Sequence, residues 1–166
     1  MIDPDPDPDL DEEPAEHRRF ADYLQALEAV AEEDEADLVA AVLRDQDATM
    51  ANSAVVRHID RRAADLLTDP GFTSSARTLT EVVAGRDFLT LRLREWALLR
   101  AISLGDPWTA EEVTAATDWF QRKAVTTQLA TPRIAPSTRA LSLLAEHGRT
   151  RRVRNAATRR LASPTA

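Results

Sequence analysis

A short pattern recurs along the chain and sets the limits on its fold: an apolar residue, then Ala four positions on, then Arg three further. It reads Met50-x-x-x-Ala54-x-x-Arg57, Leu93-x-x-x-Ala97-x-x-Arg100 and Val153-x-x-x-Ala157-x-x-Arg160, with a shorter match at Phe120-x-x-x-Ala124. The four-residue step is a helical one, and a small residue there lets neighbouring helices approach closely. Each copy follows another apolar helical stretch, so the pattern marks helix pairs, each completed by its neighbour. Nowhere is strand alternation sustained. The expected fold is all-α, an irregular stack of about eight helices in antiparallel pairs.

The clearest pair is the last. Leu141 and Leu144 give one apolar stripe, Gly148 is expected to end that helix with a positive φ, and Val153, Ala156, Ala157 and Leu161 restart the period. Ser137 is placed to cap the first helix of the pair. The run Leu143-Leu144-x-x-x-Gly148-x-x-x-x-Val153-Arg154-x-Ala156-Ala157 resembles a HEAT-type repeat, closely over residues 137–162 and loosely elsewhere. HEAT repeats carry an Asp in the turn and an Arg after the residue that opens the second helix. Arg154 and Arg94 match that Arg, while Gly148 and Phe88 stand where the Asp would be. The first copy has Asp45 and then Ala51. The resemblance therefore implies an irregular helical stack without a continuous Asp-Arg ladder.

Upstream, a first helix is expected from Pro14, with Phe20, Tyr23, Leu24, Leu27 and Val30 on one face. Leu38 to Leu43 make a second, and Thr49 to Leu67 a third, stopped by Asp69-Pro70-Gly71. Ser74 or Ser75 is expected to cap a fourth, carrying Leu79, Val82 and Val83. The fifth, Asp87 to Leu104, is the most apolar and is expected to be the most buried, with Trp96 in the core and Trp108 beyond it partly exposed. Thr109-Ala-Glu-Glu112 has the spacing of a capping box and opens a sixth helix through Val113, Phe120 and Val125. Residues 1–13 alternate Asp and Pro and cannot bury apolar area, so they read as a disordered acidic tail. Residues 14–162 read as a single helical domain and 163–166 as a disordered C-terminus.

The formal net charge of −7 conceals a polarity. Residues 1–47 hold 17 acidic and 3 basic side chains; residues 133–166 hold 8 arginines and a single acid, Glu146. There is no cysteine, which excludes disulfides and thiolate metal sites. With no apolar run of about 20 residues, no membrane span is expected, and the location expected by default is cytoplasmic.

The candidate binding residues are arginines. Arg57, Arg100 and Arg160 recur in register and would share one ridge, their stems packed and their heads paired with acids of the next helix, or lining a groove for an acidic peptide or phosphate. Arg149, Arg151 and Arg152 fall where the last helix starts; with Arg154 they make the densest basic segment, and a helix start favours a bound anion. These seven point to an acidic protein segment as the partner, nucleic acid being the alternative. His17, His58 and His147 lie on different helices. His58 and Asp60, two apart, do not converge by local helix geometry, and neither a metal nor a cofactor is expected. Trp119-Phe-Gln-Arg-Lys-Ala-Val125 is similar to segments of HEAT-like DNA glycosylases that remove alkylated bases. That resemblance implies Asp118, Trp119 and Arg122 as site residues. The leading expectation is a non-enzymatic interaction module.

If the tail docks on the Arg149–Arg160 surface, its contacts are exposed pairs worth about 0–1 kcal/mol each, held near by the tether. Deleting residues 1–13 should then raise heparin affinity at low salt and leave the melting temperature in high salt unchanged. Equal heparin affinity with and without the tail would show that it only solubilises.

Overall fold

The computed structural model describes residues 15–127 and 137–163; the acidic tail, the 128–136 segment and the last three residues lie outside them. The described chain is all-helical, and nine α-helices are found in it where eight were expected. The chain divides between His58 and Ile59, inside one helix, into two compact units, Met1–His58 and Ile59–Ala166.

In the first unit, α1 (Ala15–Ala29) packs on α2 (Glu35–Val42) after a 3₁₀ turn (Glu32–Asp34), and α3 (Ala48–Asp65) begins. Leu27, Val39, Val42, Ala51, Ala54 and Val55 are at most 1% exposed. Asp45 organises the α2–α3 turn. One oxygen accepts the Tyr23 hydroxyl (2.6 Å) and faces Arg19 Nε (3.1 Å), while the other accepts the Asp47 amide (2.8 Å). Asp47 in turn caps α3 by accepting the Met50 amide at 2.9 Å. The Tyr23 hydrogen bond, then the Asp47 amide and Arg19, hold the Asp45 carboxyl below its ordinary range. A lowered carboxyl stabilises the fold above its ordinary pKa near 3.8 and loses that contribution as pH falls through the folded value. Glu35, the first residue of α2, is buried, and its Oε1 lies 2.6 Å from His58 Nε2, both residues being 3% exposed.

The second unit holds the end of α3 and α4 (Phe72–Val82), α5 (Asp87–Leu104), α6 (Ala110–Ala115), α7 (Asp118–Thr126), α8 (Thr138–His147) and α9 (Arg151–Ala162). Helix α5 packs on α4 and α7, α7 on α9, α8 on α9, and α6 on α8. Its core runs through Ile59, Leu79, Leu89, Trp96, Phe120, Leu144 and Val153.

Four expectations change here. Helix α4 starts at Phe72, with Asp69 Oδ1 accepting the Gly71 amide at 2.7 Å, so Ser75 lies inside the helix and is buried instead of capping it. The expected sixth helix is two: Ala116 and Thr117 are extended, and the Thr117 hydroxyl accepts the Phe120 amide to start α7. Buried groups hold this break. The Thr117 amide donates to Glu95 Oε1 (2.8 Å), and the fully buried Gln121 donates to the Val113 carbonyl (3.0 Å) and accepts the Arg149 amide (2.8 Å).

Helix α5 is not buried all round. Leu89, Leu93, Trp96, Leu99 and Ile102 are at most 4% exposed, whereas Phe88, Leu91 and Leu104 are 51%, 42% and 38% exposed. Trp108 is part-exposed, under Arg139 at 4.3 Å from its ring centre. The capping box forms as expected: Thr109 Oγ1 accepts the Glu112 amide, and the Thr109 amide donates to Glu112 Oε2 at 2.7 Å. Ser137 caps α8.

Gly148 has φ −56° and ψ 138°, values open to any residue, so the expected positive φ is absent. Space is what demands glycine there: a Cβ would lie 2.6 Å from the Leu144 carbonyl oxygen and 2.8 Å from Val153 Cγ1. With an unstrained backbone, Gly→Ala alone would stabilise by about 0.4–1 kcal/mol through the unfolded chain. The overlap reverses the sign, and Gly148→Ala should cost about 1–3 kcal/mol in urea unfolding. A gain in stability would show that α8 and α9 have room to part.

Candidate functional site

The arginines named from sequence divide into three groups. Arg100, on α5, donates from Nη1 to the carbonyls of Leu66 (3.4 Å) and Leu67, just past the end of α3, and its guanidinium lies 5.0 Å from the Phe72 ring centre. Arg160, on α9, donates to the carbonyls of Val125 (2.9 Å) and Thr127 (3.1 Å), at the end of α7. Arg149 donates to the Ala116 carbonyl (3.3 Å), where α6 ends, and Arg154 to the Gly148 carbonyl (2.7 Å), where α8 ends. Each of the four therefore satisfies carbonyls at a helix C-terminus, where the last turn has no intrahelical donors and the dipole favours a cation. The expected acidic partners on neighbouring helices are replaced by backbone oxygens.

Arg57 takes no such role; it is exposed and lies 5.4 Å from the Phe20 ring centre. In the short Phe120 copy the Arg position is Thr127, and α5 ends without an arginine. There Gly105 takes φ 76°, and the Asp106 amide returns to the Ala101 carbonyl at 2.9 Å. The helix-end arginines elsewhere and the left-handed glycine here solve the same problem.

Arg151 and Arg152, in the first turn of α9, and Arg159 are exposed, and among the described residues their side chains have no partner. Two of the seven sequence-named arginines are thus free, and Arg159 joins them.

A second cluster was not foreseen. Asp60 Oδ1 accepts Trp96 Nε1–H and its Oδ2 accepts Arg92 Nη1–H, both at 2.8 Å. The Arg92 guanidinium stacks 3.7 Å from the Trp119 ring centre with Phe88 at 5.5 Å on its reach, and Trp119 meets Trp96 edge to face at 5.5 Å. Lys123 Nζ lies 5.3 Å from the Trp96 ring centre. Both Asp60 oxygens are occupied, and the cluster ties α3, α5 and α7 together. His58 and Asp60 do point to different partners. The signal available in sequence was Arg92 and Trp96 at helical i, i+4 spacing, which gives no hint of the carboxylate they share.

Of the residues implied by the glycosylase resemblance, Asp118 and Arg122 come together and Trp119 turns away from them. Asp118 pairs with Arg122 Nε at 3.0 Å and accepts the Thr150 hydroxyl at 3.4 Å, while Trp119 turns to Arg92 and Trp96. Among the described residues no group of three or more His, Asp or Glu side chains could hold a metal ion, and no helix is long and apolar enough to cross a membrane.

The class defined by the structure is an all-helical protein of paired helices. No protein-family model, no curated protein and no solved structure matches the chain.

Proposed function

We propose that the chain is a non-enzymatic, HEAT-like interaction module whose α9 surface takes an acidic segment of a partner protein. The observation that carries this is the division among the arginines. Arg151, Arg152 and Arg159 are exposed and unengaged, whereas Arg100, Arg149, Arg154 and Arg160 are spent on helix ends of their own chain. The side-by-side order α5, α7, α9 supports the repeat reading, because the second helices of successive pairs are neighbours in such a stack.

Anisotropy titration of a labelled oligoglutamate peptide and a labelled DNA duplex, each at low and physiological salt, tests the proposal. The peptide should bind, and replacing Arg151, Arg152 and Arg159 by Ala should weaken it about tenfold, the sum of a few exposed pairs, without moving the unfolding midpoint. Preference for the duplex with a steep salt dependence would place the chain among nucleic-acid binders instead. Failure to bind either probe would remove the α9 surface from the account.

A further inference from the structure

The uncovered side of α5 borders an open groove of about 490 Å³, closed on its other side by Pro107 and α6. Leu91, Leu98 and Ala101 form the α5 wall with Arg94 in their line, at spacings of three and four residues, and Ala115, at the end of α6, and Ala116, just past it, lie opposite. The aligned alanines show what is missing: Ala54 and Ala157 are fully buried, but Ala97 lines this groove and is exposed. Along α5 the lining runs from Leu91 to Ala101, about 15 Å of helix axis.

Inside this apolar trough is a carboxylate. Glu95 lines the groove at 4% exposure; its Oε1 accepts the Thr117 amide at 2.8 Å, and among the described residues its Oε2 has no partner and no cation pairs with it. Arg19 Nε alone is a buried side-chain polar atom without a hydrogen bond among the described residues, so the unpartnered Glu95 Oε2 opens onto the groove, where a cation brought by a ligand can pair with it. The other acid of the lining, Glu112, is engaged by Thr109.

We infer that this groove docks an amphipathic helix of a partner protein, with an apolar stripe against Leu91, Leu98 and Ala101 and a lysine that reaches Glu95 Oε2. The strip matches about three turns of a helix, and Ala97, Ala101, Ala115 and Ala116 leave room for a helix backbone, the geometry of helix-in-groove recognition. The buried acid fixes the sign of the anchor. This inference uses none of the α9 arginines and stands apart from that surface.

The test is NMR titration of the full-length protein with three probes: a helical Leu/Ala peptide with one central Lys, the same peptide with norleucine for Lys, and n-octylammonium. The Lys peptide should shift the amides of Leu98, Ala101 and Ala115 and bind about tenfold or more tightly than the norleucine peptide, as expected for a charge-assisted hydrogen bond. Glu95→Gln keeps the acceptor for the Thr117 amide and should erase that difference. Ala101→Trp, which fills the groove without touching Glu95, should abolish binding of both peptides while the remaining amide spectrum stays native. Equal affinity of the two peptides, absence of shifts at the groove, or octylammonium binding as tightly as the Lys peptide would each overturn the inference.

Discussion

A short helix has a problem at its end: its last carbonyls have no donors from within, and where the next pair packs over them water is partly excluded as well. In this protein the answer comes from the next element of the stack. Arg100 reaches the end of α3, Arg149 that of α6 and Arg160 that of α7. Arginine suits the task because its planar fork presents several donors and its long stem packs against apolar surface before the head arrives. The stack is therefore joined by hydrogen bonds directed at specific backbone atoms, which hydrophobic packing alone does not provide.

Where arginine does not serve, buried polar side chains take over. Gln121 uses both ends of its amide, donating to the last carbonyls of α6 and accepting the Arg149 amide where α9 is about to begin. Glu95 accepts the Thr117 amide just before α7. Gln121 fixes the break between α6 and α7 from both sides and would be costly to replace, since any apolar substitute strands several buried groups. Glu95 differs, because its second oxygen is left over in an apolar groove. One side chain both holds the break and marks the groove.

Features set by local chemistry were legible in the sequence. The helical class, the capping box at Thr109 and Glu112, the Ser137 cap, the buried Trp96 and the part-exposed Trp108 follow from spacing and caps over a few residues. Features set by tertiary neighbours were not. The period through Val113, Phe120 and Val125 is nearly continuous, and only Thr117 hinted at the break that Gln121 and Glu95 enforce. Gly148 was read for its torsion and is required for its lack of a Cβ, which depends on how closely Val153 approaches. The apolar ring around α5 predicted burial, but periodicity cannot say which of those residues a neighbouring helix covers. The arginine register was visible as a pattern; its purpose required knowing which carbonyls lie opposite.

Two uses of one residue type are visible here. Arginines aimed at helix ends belong to the fold, whereas Arg151, Arg152 and Arg159 are exposed. Urea unfolding of Arg100→Met, Arg160→Met and Arg152→Met tests this most directly, because methionine keeps much of the apolar stem and removes the donors. The account predicts losses of about 1–3 kcal/mol for Arg100 and Arg160, the cost of stranding carbonyls, and a change within about 0.5 kcal/mol for Arg152. Equal small effects at all three positions would contradict it, since the helix-end contacts would then contribute nothing to holding the stack together.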